Sequence, residues 1–194
     1  AYRDTAGLEL TAWEVPGEPV PFAEAIQESF TPFTVGQAWG KPWGTVWFHV
    51  TGTIPDEWVD AAGADVELVI DLGFDESGPG FQAEALVFRP DGTIVKAIEP
   101  RNSTVPLAGV AAADGSIDLY IEAAGNPSVA GTFTFAPTHL GDPATAGDEP
   151  IYRLEALFLG LREVAVWELT QDVWTLRGLV DVLEPDRTRR ARVL

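Results

Sequence analysis

The sequence predicts a mainly β domain, a β-sandwich or jelly roll, followed by a C-terminal α-helix. Three observations carry this expectation. Short segments with apolar residues at every second position recur along most of the chain. Gly, Pro and Asp separate them at short intervals, which is the chemistry of tight turns between strands. From Thr170 the apolar period changes from two to that of a helix.

Up to Gly40 the chain is rich in proline and aromatic residues: AWEVPGEPVPFAEAIQESFTPFTVGQAWG. Pro16, Pro19, Pro21 and Pro32 lack backbone donors, so this arm should follow a sheet edge or wrap the domain. A short helical turn fits residues 22–29. Strand-like pieces come next. WGTVWFHVTGTIP is the first, and ADVELVIDLG the second, with Val66, Leu68, Ile70 and Leu72 on one face. FQAEALVFR and GTIVKAIEP flank Pro90-Asp91-Gly92, a turn sequence that joins them as a hairpin. In SIDLYIEAAGNP, Ile117, Leu119 and Ile121 alternate with Asp118, Tyr120 and Glu122. GTFTFAP reads as a further strand.

Residues 139–150 form a polar loop. YRLEALFLGLREVAVWEL fits a helix or a hairpin; the alternation of Leu154, Ala156, Phe158 and Gly160, then Val164 and Val166, favours two strands returning to the sandwich. Beyond it, Val173, Leu176, Val180 and Leu183 make the stripe of an amphipathic helix. Thr170 is its expected cap, with Asp172 in the first turn. Pro185 should close it and open the next element, DRTRRARVL. The expected division is a sandwich domain over 1–169 and a linker helix, with the start of a following domain, over 170–194.

The chain has 194 residues, of which 46% are hydrophobic, enough for a real core in one domain of generous size. No apolar run approaches the ~20 residues of a membrane-spanning helix. The first residues, AYRDTAGLEL, do not read as a signal peptide. Methionine is absent, as expected of a piece processed or excised from a longer chain. Without cysteine there are no disulfides and no thiolate zinc sites; a cytoplasmic setting suits this composition. The net charge of -18, from 30 acidic and 12 basic residues, argues against nucleic-acid and membrane-surface partners. Four arginines, Arg187, Arg189, Arg190 and Arg192, crowd the last eight residues and read as part of the next structural unit.

Few residues suggest chemistry. The two histidines, His49 and His139, stand in no metal-ligand spacing. Glu84 and Glu122 fall within apolar strands and are candidates for partial burial and loop anchoring. No Gly-x-Ser-x-Gly elbow or phosphate-binding loop occurs. The aromatic residues are more informative. Taken as a strand, WGTVWFHVT has Val46, Phe48 and Val50 on a core face. Its other face carries Trp43, Thr45, Trp47, His49 and Thr51. That face needs a partner that is part apolar and part polar. The N-terminal arm, a following domain or a sugar ring would each serve. Trp43, Trp47 and His49 are accordingly the candidate ligand-binding residues, and no catalytic or metal-binding residue can be assigned.

Residues 12–58 resemble the opening of family-38 (class II) α-mannosidases of the bacterial and vacuolar branch. The matching order is a Gly-x-x-Trp-Gly turn (Gly36, Trp39, Gly40), a Trp-Gly-Thr-x-Trp-Phe strand (Trp43, Gly44, Thr45, Trp47, Phe48) and an Ile-Pro-x-x-Trp exit (Ile54, Pro55, Trp58). EALVFRPDG is similar to the family's Glu-x-Leu-Val hairpin, at Glu84, Leu86, Val87, Phe88, Asp91 and Gly92. LYIEAAGNP is similar to a Tyr-x-Glu-Ala-x-x-Asn strand end, at Tyr120, Glu122, Ala123 and Asn126. The tail EVAVWELTQDVWTLRGLVDVL resembles the elements leading into the catalytic domain.

The resemblance implies a galactose-binding-like jelly roll, the N-terminal non-catalytic domain of a retaining enzyme that removes α-linked mannose. It also implies that the domain packs on a catalytic domain that holds zinc, and that this segment holds no cofactor itself. Mannose-containing glycans and a second copy of the chain are further possible partners. A stand-alone carbohydrate-binding module and the accessory jelly roll of a β-glycosidase are the alternatives.

Overall fold

A computed structural model describes residues 2–74, 80, 82–127, 139–183 and 188–192. The strands are β1 (Tyr2–Ala6), β2 (Glu9–Glu14), β3 (Thr31–Pro32), β4 (Ala38–Trp39), β5 (Thr45–Thr53), β6 (Ala64–Asp71), β7 (Glu84–Phe88), β8 (Ile94–Ile98), β9 (Thr104–Pro106), β10 (Ser116–Ala124), β11 (Tyr152–Arg153) and β12 (Ala156–Glu163). The helices are α1 (Phe22–Ala25), α2 (Pro143–Ala146), α3 (Val164–Val182) and α4 (Thr188–Ala191). A six-stranded sheet in the order β3-β2-β5-β10-β7-β8 faces a four-stranded sheet in the order β1-β12-β6-β9, and β11 pairs with β4. This is the expected β-sandwich.

Period-2 alternation explains the core between the sheets. Val46, Phe48 and Val50 of β5 and Ile117, Leu119, Ile121 and Ala123 of β10 are buried. They share one cluster with Leu68 and Ile70 of β6 and Leu157, Leu159 and Leu161 of β12. Each large side chain so enclosed contributes about 1.5–3 kcal/mol. The β7–β8 hairpin turns where Pro90-Asp91-Gly92 predicted it. Asp91 Oδ1 accepts the Thr93 N–H at 2.8 Å, and Gly92 takes a φ of +82° that L side chains rarely adopt.

The arm up to Gly40 does both things its prolines allowed. Its first part enters the sheet as β2, with Pro32 on the short edge strand β3. Between them, residues 15–30 cross the outer face of the six-stranded sheet. There Val15, Ala25, Trp47 and Phe88 form a second buried cluster, flanked by Trp13, Phe22, Phe30 and Tyr120.

The C-terminal reading needs correction. Residues 164–168 are the first turns of α3, not a returning strand. The last residue of β12, Glu163, pairs with Ala64, the first of β6. Beyond that register no strand of β6 remains to accept a ladder, so the backbone satisfies its own hydrogen bonds as helix. Thr170 is therefore interior to α3 and donates its hydroxyl to Val166 O at 2.8 Å; it caps nothing. Asp172 is likewise beyond the first turn. The division at residue 169/170 falls inside this helix. The expected strand at 131–137 and Pro185 lie outside the described residues.

Candidate functional site

The face carrying Trp43, Trp47 and His49 is divided by the fold. Trp47 is fully buried, 0% exposed. Phe22 of α1 lies 6.0 Å from its ring and stacks on Phe88 at 5.2 Å, while Phe88 lies 5.4 Å from Trp47. Of the three partners this face could take, the chain's own arm is the one that covers Trp47. Phe22 also seats on the hairpin: a Cβ at Gly92 would come 3.1 Å from its ring, so this turn needs glycine twice over. The Trp47 indole N–H is buried without an acceptor among the described residues.

His49 sits at the margin of the arm. Its ring stacks on Tyr120 at 4.2 Å with 4° between the planes, and Nε2 lies 2.8 Å from Asp118 Oδ1. Phe30 approaches both rings edge-on at 6.0 Å. Burial, and then Asp118, raise the Tyr120 phenol above its ordinary pKa. Trp43 does not belong to this face. It precedes β5 in a turn, with φ of +65°, an unusual conformation for a bulky residue. It is 45% exposed, and its indole N–H donates to Leu140 O at 2.8 Å.

Glu84 is exposed, against the partial burial expected of it, because it points to solvent at the start of β7; it accepts from Asn126 Nδ2 at 3.0 Å. Glu122 is partly buried, and desolvation raises its pKa. Among the described residues no group of three or more His, Asp or Glu side chains converges as a metal-ligand set. Asp114-Gly115-Ser116 forms a turn, with the Ser116 N–H on Asp114 Oδ1 at 3.0 Å.

A second constellation lies on the four-stranded sheet. Glu67 points to its outer face and is nevertheless buried, because Tyr2 of β1 lies across the sheet at this point. The Tyr2 hydroxyl donates to Glu67 Oε1 at 2.5 Å. Its ring occupies the space over Gly160, where a Cβ would fall 2.5 Å from Cδ1. Burial first, then the Glu67 bond, push the Tyr2 phenol well above its ordinary pKa. Arg162 Nη2 donates to Asp65 Oδ2 at 2.8 Å. Its Nε lies 3.2 Å from Glu67 Oε2, off the hydrogen-bond direction, which leaves a close Coulomb contact and a buried N–H without an acceptor among the described residues. The guanidinium also lies 4.7 Å from the ring centroid of Trp167, in the first turns of α3. Beside this cluster, between the turns that follow β5 and β9 and the turn before β10, opens a cleft of about 610 Å³.

Helix α3 is the third feature. It is 19 residues long, and none of them is buried. Val166, Trp167, Leu169, Val173, Trp174, Leu176 and Val182 are all exposed, Trp174 at 66%. The expected stripe exists in the sequence, but no element among the described residues buries it. No helix among the described residues is long and apolar enough to cross a membrane.

Comparison with known proteins agrees with this fold. Residues 5–159 match the family described as the alpha-mannosidase jelly roll domain. The chain is 30% identical over 200 aligned positions to mouse alpha-mannosidase 2C1, which covers 100% of this chain and 17% of that protein. It is 31% identical over 184 positions to the human protein of the same name, covering 91% of this chain and 16% of that one. The chain thus spans about a sixth of the length of these relatives.

Proposed function

The chain belongs to the alpha-mannosidase jelly roll domain family, and from this premise we propose that it is the N-terminal, non-catalytic domain of a class II α-mannosidase that docks on the catalytic part through α3. One observation carries the docking role. A 19-residue helix rich in Trp, Leu and Val holds no buried residue, although the sandwich beneath it has two well-filled cores. Contiguous exposed apolar surface of this kind marks a missing partner. The relatives' greater length supplies a candidate for that partner, the remainder of the same polypeptide.

The root of α3 is fixed while its body is bare. Val164 N–H donates to Gly63 O at 3.0 Å, and Arg162 holds Trp167 against the Asp65–Glu67 pair. A helix with a rigid root and an uncovered apolar side suits a strut between two domains. The hydrolysis of α-linked mannose, the zinc that supports it and the bacterial and vacuolar branch are assigned by this reading to the whole protein. A cytoplasmic setting, suited to a cysteine-free chain, goes with it.

Hydrogen exchange tests the docking. The α3 amides should exchange fast in the 194-residue chain and at least about tenfold more slowly in a polypeptide extended to the relatives' length. Equal exchange of α3 in both would refute it.

A further inference from the structure

The cleft beside Glu67 and Arg162 opens next to the root of α3, and its chemistry is specific. One wall is apolar: Ile54, Val59, Leu107 and Ala108. Val59 is 64% exposed, too open to be explained as core. The other side carries Asp56, Asp65, Glu67, Asp114 and Arg162. A volume of about 610 Å³ suits a small-molecule site, and apolar lining with a few convergent polar groups is the usual composition of one.

Charge narrows the class of ligand. An anion would meet four carboxylates on a chain of net charge -18. A cation would have to compete with Arg162, which already lies on both Asp65 and Glu67. Arg162 offsets part of this negative charge at Asp65 and Glu67, and the hydrogen-bonding capacity of the carboxylates is not used up. A carboxylate offers about four lone-pair sites. Glu67 has one oxygen on Tyr2, and Asp114 has one on the Ser116 amide, so acceptors remain on each. The Ser116 bonds also hold Asp114 below the usual carboxylate pKa, which keeps it an acceptor.

We propose that this cleft binds a neutral, polyhydroxylated ligand with one apolar face, the chemistry of a pyranose ring. Hydroxyls donate to Asp56, Asp65, Glu67 and Asp114, and the C–H face lies on Val59 and its neighbours. The geometry places this site at the end of the sandwich from which α3 departs, at the other end of β5 from Trp43. Because Arg162 touches both the cleft and Trp167, occupancy should be visible in indole fluorescence.

The test titrates methyl α-mannopyranoside into the 194-residue chain, following intrinsic fluorescence and amide chemical shifts. Saturable binding with a dissociation constant of about 1 mM or tighter is expected, with shifts at residues 54–67 and 106–115. Asp56→Ala with Val59→Asp, both at exposed positions, should weaken it at least about tenfold without moving the unfolding midpoint. Trp43→Ala should leave it unchanged. No saturation up to about 100 mM overturns the proposal. So does binding that survives the cleft variants, or that Trp43→Ala abolishes. A titration with arginine amide that saturates where the sugar does not would replace the neutral ligand with a cation and also overturn it. These readouts do not involve the longer polypeptide, so they stand or fall separately from the docking of α3.

Discussion

The outer face of the six-stranded sheet and the helix α3 are both apolar and rich in tryptophan, yet they end differently. On the sheet, Trp47 disappears under Phe22, Val15 and Ala25, because the arm that follows β2 crosses directly over it. On α3, Trp174 and its neighbours remain in water, because no segment among the described residues covers them. The two surfaces have similar composition. What separates them is whether the chain itself supplies a cover. An apolar face that its own domain covers becomes a second core, and one left bare is a surface for something else.

The largest test of this contrast is Trp47→Ala. Removing a fully buried indole and leaving a cavity should cost about 3–5 kcal/mol in urea unfolding. A loss of under ~1 kcal/mol would mean that the arm lies loosely on the sheet and that the two surfaces are alike after all.

A smaller effect on stability is expected from Leu169→Ser and Trp174→Ser. Each should change the stability of this chain by no more than about 0.5 kcal/mol, since neither side chain is enclosed. Binding of a hydrophobic dye should fall in both. A loss of several kcal/mol would show that α3 has a cover within the chain.

Glu122→Gln should have the smallest effect, and it sharpens the account of the arm's margin. Burial raises the Glu122 pKa in the folded chain, so the folded state holds this proton more tightly than the unfolded one. Stability from this group is full below the ordinary Glu value of ~4.3 and is lost as pH rises through the raised folded value. The Gln variant should therefore be the more stable at neutral pH, by no more than about 0.5 kcal/mol because the carboxylate is still partly in water. The gain should vanish at about pH 3, where both side chains are neutral. Unfolding midpoints at the two pH values measure it, and a gain that persisted in acid would point to packing instead of charge.

Much of the sandwich was legible in the sequence, and each success has a local cause. β5, β6 and β10 are long alternations, and the β7–β8 hairpin carries its turn residues in place. The misses also have causes. The second strand at 164–168 failed because Val164 and Val166 alternate by chance over too few residues to decide a period. β1 passes unnoticed because most of it is exposed, and β9 because it is only three residues long. Trp43 was placed on the same face as Trp47 by counting in twos, but the chain turns before β5 begins, so the count does not apply.

The Tyr2–Glu67–Arg162 cluster shows the limit most clearly. Glu67 occupies an outward position in an alternating strand and reads as a solvated charge. It is buried only because Tyr2, 65 positions away, crosses the sheet over Gly160. No local pattern encodes that crossing.

The sequence by itself determined the sandwich, its principal strands, the hairpin turn and the existence of an apolar helical stripe near the C-terminus. These follow from periodicity and turn chemistry, which act over a few residues. Only the tertiary structure decided which apolar faces are covered, where β12 stops and α3 begins, and which charged groups meet beside the cleft. Those outcomes depend on strand register and on segments far apart in the chain, where a contact forms only if both partners arrive at the same place.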